Sequence, residues 1–126
     1  LYGDKFALLG NAGEFLDPVF SSGVTIAMHS ASMASHLLDK QLQGESVDWE
    51  NDYSKALRKG VDTFRSFVEG WYNTDFQDVI FFENQQQEVK EMISSILAGY
   101  AWDTKNPYVA EPTRRLRTLV ELCRSA

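Results

Sequence analysis

The sequence is short of the residues that cross-link a chain, hold a metal or neutralise phosphate. It has one cysteine, Cys123, in 126 residues. No internal disulfide can form, and a reducing, cytoplasmic compartment is the expectation. Cys123 sits on an apolar helical stripe, which is the place of a core residue rather than a nucleophile. There are two histidines, His29 and His36, seven apart and so off the i,i+3 or i,i+4 spacing of helical metal pairs; no metal site is expected. Lys and Arg number 12 against 18 Asp and Glu, a net charge of −6, which argues against a nucleic-acid partner because phosphate contacts need clustered cations. The one basic cluster, Arg114, Arg115 and Arg117 with Arg124 beyond it, reads as a solvated helix face. No apolar run is long enough to span a bilayer and no secretory signal is visible. No Ser-His-Asp arrangement stands out.

What remains is an ordinary globular composition, 44 % hydrophobic and 24 % charged, enough for one domain with a modest core. The chain does not begin with Met and enters almost at once into Lys5-Phe6-Ala7-Leu8-Leu9. Residues Phe6 to Leu9 read as a short buried strand for which the rest of the chain offers no convincing partner, so the expectation is a piece of a longer protein. Gly10 to Ser22 is a turn-rich loop. A helix starts near Gly23, with Val24, Ala27, Ala31, Ala34 and Leu38 marking one face and Gly44 ending it. The small residues Ala27, Ser30, Ala31 and Ala34 would let another element approach closely.

Helical patterning dominates from there on. Trp49, Tyr53, Ala56, Leu57, Gly60, Phe64, Phe67, Val68 and Trp71 form a long stripe, with Ser46 or Asp48 as its cap. Thr74 with Gln77 fits a capping box for a short helix through Phe76, Val79 and Ile80. Val89, Met92, Ile93, Ile96, Leu97 and Tyr100 form another stripe, stopping near Gly99. Asn106-Pro107 breaks the chain. Pro112 suits the first turn of a last helix with stripe Leu116, Leu119, Val120 and Cys123.

The chemistry-bearing unit is the strand, glycine turn, Pro-stiffened loop and helix start from Phe6 to Val24. A helix N-terminus offers unpaired backbone N–H groups and a positive dipole end, suited to an anion or to the electron-rich edge of a reduced flavin. Gly23 lets a planar ligand approach the backbone without a Cβ in the way. On spacing alone the unit reads first as a connector whose Ser21 or Ser22 caps the helix.

The string G-N-A-x-x-F-x-D-P-x-x-S-S-G, residues 10–23, resembles the second flavin-binding motif of FAD-dependent monooxygenases and halogenases. Asn11 stands where the usual form has an acidic residue facing the flavin ribityl chain, and G-N-A is similar to the halogenase variant. Asn still hydrogen-bonds a hydroxyl, without charge. Phe20 stands where tryptophan halogenases usually carry Glu, which tilts the resemblance to the non-tryptophan branch. The resemblance implies FAD as cofactor, lined by Gly10, Asn11, Ala12, Pro18, Gly23 and Val24, with Ser22 and Gly23 nearest any halide. It further implies a small-molecule, aromatic or other organic substrate and a flavin reductase partner.

The fold implied is mainly α: a C-terminal helical fragment of an α/β FAD-binding, glutathione-reductase-like oxidoreductase with at most one or two short N-terminal strands. Residues 1–44 would be the strand-loop-helix of the FAD-binding domain and 45–126 a C-terminal helical domain. The G-x-G-x-x-G fingerprint and the lysine that handles hypohalous acid in halogenases are not in this sequence, nor is a catalytic residue assigned. In the family both features lie upstream. The fragment alone would therefore lack a full flavin site and be inactive. Two alternatives stay open: an FAD-dependent dehydrogenase or reductase of the same superfamily, and a non-catalytic helical module that self-associates as a homo-oligomer through the Trp49–Trp71 stripe.

Overall fold

A computed structural model describes all residues, 1–126. The chain is mainly helical with two short strands. It divides into two compact units, Leu1–Val61 and Asp62–Ala126. No helix is long and apolar enough to cross a membrane.

The first unit opens with a hairpin. Strands β1 (Tyr2–Gly3) and β2 (Phe6–Ala7) pair antiparallel, Tyr2 opposite Ala7 and Gly3 opposite Phe6. This corrects two expectations: the strand has a partner, and it is not buried. Phe6 is 60 % exposed, and Leu8 and Leu9 are exposed as well. A tight turn through Asp4 and Lys5 supplies the partner only four residues away. A two-residue ribbon of this kind has no layer to cover it.

Single 3-10 turns at Gly10–Ala12 and Pro18–Phe20 lead into α1 (Ser22–Leu42). Gly44, at φ 88°, ends it. The Gly44 amide donates to Gln41 and the Glu45 amide to Lys40, the paired bonds of a Schellman ending. The buried face of α1 is Ser22, Ile26, Ser30, Ala34 and Leu37; of the stripe read from sequence only Ala34 lies on it, and Val24 and Leu38 are both exposed. The expectation ranked positions by apolar character. The helix instead buries two serines, because one of them satisfies a backbone group and both are small enough for close approach.

Asp48 is the cap that starts the next helical stretch. Its Oδ1 accepts from the Asn51 amide at 3.0 Å and its Oδ2 from the Asn51 side chain at 2.6 Å, and these bonds hold the carboxyl below its usual range. A π-helical turn, Glu50–Lys55, precedes α2 (Ala56–Tyr72). The wider turn shifts the register of the helix face, so that Tyr53 and Ser54 are both buried. Trp49 meets Tyr53 edge-on at 5.6 Å, stacks on Tyr2 at 6.5 Å, and donates its indole N–H to Gln41.

In the second unit the end of α2 packs with α3 (Asp75–Ile80), α4 (Gln87–Leu97), α5 (Pro107–Ala110) and α6 (Pro112–Ser125). Phe64, Phe67, Phe76, Ile96 and Val109 are almost wholly buried, and Phe67 and Phe76 meet edge-on at 5.0 Å. Gly99 ends α4 as Gly44 ends α1, with Gly99 donating to Ile96 and Tyr100 to Ser95. The stripes read from sequence for α4 and α6 face inward at Ile93, Ile96, Leu116 and Val120.

The capping box at Thr74 does not form. Thr74 lies at φ 73° and makes no side-chain cap bond. Asn73 Oδ1 takes the Asp75 amide instead, and the Gln77 side chain donates to the Trp71 carbonyl. A β-branched residue in the left-handed region is strained by about 1 kcal/mol or more. Thr74→Gly should therefore raise stability by roughly 0.5–1 kcal/mol, read as a higher urea midpoint at unchanged slope.

Asn106 does more than break the chain. Its Oδ1 accepts the Tyr108 amide at 3.0 Å, capping α5, and its Nδ2 donates to the Met92 carbonyl at 2.8 Å, tying α5 to α4. The residue is only 8 % exposed. Asn106→Ala should cost about 1–3 kcal/mol in denaturant unfolding, since it leaves a buried amide and a part-buried carbonyl unpaired. Asn106→Asp, which keeps the cap, should cost less.

Candidate functional site

The loop Gly10–Ser21 and the start of α1 are held by backbone bonds whose partners come from far along the chain. Gly10 takes φ 51°, the region that glycine enters without steric cost. An added Cβ there would stand 3.1 Å from the Ala27 Cβ, so the turn also presses against α1. The Gly10 amide donates to Ser30 Oγ at 2.9 Å, and that hydroxyl donates in turn to the Ala27 carbonyl at 3.0 Å. Two residues before Gly10, the Leu8 carbonyl accepts the Tyr53 hydroxyl at 2.6 Å. Burial pushes the Tyr53 phenol up, with the Ser30 hydroxyl pulling the other way. It therefore serves as a proton-bearing donor at neutral pH. Ser30 and Tyr53 are the residues that sequence reading missed, taken as a small packing residue and a member of an apolar stripe. Their only signal was a hydroxyl on each otherwise packable face.

Farther along the loop, Asp17 Oδ1 accepts the Val19 amide at 2.9 Å, and Pro18 opens the 3-10 turn. Ser21 then adopts φ 53° and enters α1 without a side-chain cap bond. The first amides of α1 thus have no capping side chain, and the helix dipole leaves its positive end there. Ser22, 3 % exposed, has the one buried side-chain oxygen without a hydrogen-bond partner. Such a group costs about 1–3 kcal/mol unless something satisfies it.

The structure brings some of the residues singled out from sequence together. Gly10 is buried and Gly23 half-buried, and a Cβ at Gly23 would lie 3.7 Å from Asn11 Oδ1. The glycine turn, the Asn11 amide group and the first turn of α1 therefore share one corner. Asn11, Ala12 and Pro18 are exposed, and Val24 is 70 % exposed, so these line a surface. Glu14 is half-buried on the same loop. His29, next in sequence to Gly10's partner Ser30, is held below its usual pKa by burial. No group of three or more His, Cys, Asp or Glu gathers to hold a metal.

This arrangement suits a polar or anionic ligand lying against the helix start. It offers backbone donors, the Asn11 amide, the unpaired Ser22 hydroxyl, and a glycine where a side chain would stand in the way. Replacing Ser30 by Ala removes the acceptor of a buried amide and should lower stability by roughly 1–3 kcal/mol. Tyr53→Phe should cost less, on the order of 1 kcal/mol, because the Leu8 carbonyl is nearer water. A Ser30→Ala midpoint equal to wild type in urea would show that the Gly10 turn is held by other means.

Residues 2–111 match the family model described as tryptophan halogenase. The chain is 28 % identical over 127 residues to a 1H-pyrrole-2-carbonyl-[peptidyl-carrier protein] chlorinase of Pseudomonas fluorescens, covering 94 % of this chain and 26 % of that protein. It is 32 % identical over 94 residues to a tryptophan 2-halogenase of Chondromyces crocatus, covering 72 % and 18 %. Among solved structures, a flavoprotein/dehydrogenase from Cytophaga hutchinsonii superposes with a TM-score of 0.95 at 49 % identity, over 99 % of this chain and 31 % of that one. The chain thus spans about a quarter of the length of these curated relatives.

Proposed function

Since this chain belongs to the tryptophan halogenase family, we propose that it forms the C-terminal quarter of an FAD-dependent oxidoreductase of the flavin-dependent halogenase kind. In this reading residues 1–44 belong to the FAD-binding domain and 45–126 are a helical domain. The enzyme is cytoplasmic, acts on an aromatic or other small organic substrate, and draws electrons from a flavin reductase. The observation that carries it is the corner built by Gly10, Asn11 and Gly23 beside the uncapped start of α1, with the buried Ser22 hydroxyl left unpaired.

The residues present fit a flavin edge. The backbone at Gly23 leaves room for a flat ring, Gly10 fixes the turn behind it, Asn11 offers both a donor and an acceptor to a ribityl hydroxyl, and Ala12, Pro18 and Val24 present exposed surface beside it. The bound cofactor supplies the redox chemistry with dioxygen, by which halide is oxidised or the substrate oxygenated. This chain's share is to bind and orient. Ser22 and Gly23 offer a hydroxyl and backbone amides at the positive end of a 21-residue helix, which suits a halide ion. Phe20 in place of an acidic side chain favours a substrate other than free tryptophan. By itself the chain holds half of the site and is inactive.

A second reading, a flavin dehydrogenase without halide chemistry, has one observation in its favour: the solved flavoprotein/dehydrogenase is more similar in sequence than the halogenase relatives described above. The two readings separate on one experiment. The complete protein that contains this chain should carry a chromophore with flavin absorption. In the halogenase reading, chloride or bromide should perturb the flavin spectrum, and Ser22→Val should abolish that perturbation while flavin stays bound. A flavin-loaded protein indifferent to halide selects the dehydrogenase. A colourless protein that takes up no flavin overturns both.

A further inference from the structure

The second unit contains a half-open cavity of about 880 Å³ between α3, α4 and α6, far larger than a packing defect and within the range of small-molecule sites. Its apolar lining includes Val79, Ile93, Leu97 and Leu119. Its charged side chains are the informative part. The chain carries 18 acidic residues against 12 basic ones, yet no Asp or Glu lines this cavity, while Lys90 from α4 and Arg115 from α6 both do.

Two neutral groups keep the local charge positive. Burial pushes the Tyr108 phenol up, with Arg115 opposing it, and the Cys123 thiol is raised by burial and by Asp78. Both line the cavity and stay protonated near neutrality. Arg115 makes only a long contact of 3.9 Å with Glu111, so its guanidinium is not saturated. Asp78, the nearby carboxylate, is already paired with Arg124 at 2.7 Å.

We propose that this cavity binds an amphipathic carboxylate, a fatty or aromatic acid, whose apolar body lies against Ile93 and Leu119 and whose head is held by Arg115 and Lys90. The site lies wholly within Asp62–Ala126 and shares no residue with the flavin corner. It therefore stands or falls independently of the reading given above. Arg favours carboxylate through its forked donors, and Lys adds a point charge. The apolar body contributes through the water it displaces from the lining.

The test is titration of the protein with decanoate and, in parallel, with decylammonium, which has the same tail and the opposite charge, both below micelle-forming concentration. Calorimetry reads affinity, and the methyl resonances of Ile93 and Leu119 report location. Saturable decanoate binding that shifts those methyls is expected. Both Arg115→Gln and Lys90→Gln should weaken it, Arg115→Gln by about ten-fold, without changing the unfolding midpoint materially. Decylammonium should bind at least as much more weakly. Failure of decanoate to saturate overturns the site. Equal binding of the two amphiphiles, or indifference to both substitutions, overturns the carboxylate specificity and leaves only an apolar cleft.

Discussion

The amide of Gly10 belongs to no ladder of helix or strand, and the first unit is arranged around giving it a partner. Its bond to Ser30 Oγ joins residues twenty apart and draws the glycine turn against the second turn of α1. Because Gly10 sits at φ 51° against Ala27, neither side can move without losing the bond or creating a clash. Tyr53, carried by the π-turn Glu50–Lys55, fastens the Leu8 carbonyl, two residues before Gly10, from forty-five residues away. A buried, unpaired backbone group is expensive enough that this small network governs which face of α1 turns inward.

From that constraint the corner at the start of α1 follows. With α1 pinned at Ser30, Gly23 is brought beside Asn11, Ser22 is buried, and Ser21 takes the left-handed conformation needed to join the Pro18–Phe20 turn to the helix. Most buried polar atoms in folded proteins are satisfied, so the unpaired Ser22 hydroxyl stands out against its surroundings. The same loop and helix start carry exposed apolar side chains, Phe15 and Val24. In the reading proposed above, a bound flavin would satisfy that hydroxyl and cover part of that surface.

The second unit is organised by ordinary packing instead. Phe64, Phe67 and Phe76 fill its centre, and Asn106 ties α4 to α5 by satisfying one backbone group on each. The contacts of Arg124 with Asp75 and Asp78 are surface pairs, each partner about half exposed, and add little to stability. They do fix where charge lies, and with Glu111 near Arg114 and Arg115 they leave the lining of the cavity between α3, α4 and α6 without an Asp or Glu side chain.

The amino-acid sequence by itself determined the helical character, the breaks at Gly44, Gly99 and Asn106-Pro107, and the inward faces of α4 and α6, because those depend on local conformational preference and on periodicity within one segment. It also displayed the motif from Gly10 to Gly23, since glycine, proline and Asp17 mark a turn by their own chemistry. The inner face of α1 was decided only by tertiary structure, and the state of Thr74 by a local hydrogen bond that periodicity does not display. Each turned on whether a particular polar group found its partner, in a residue as distant as Ser30 is from Gly10 or as near as Asn73 is to Asp75. Hydrophobic pattern ranks positions by what they avoid. The choice between two acceptable faces was made by hydrogen bonds between residues whose proximity no local pattern encodes.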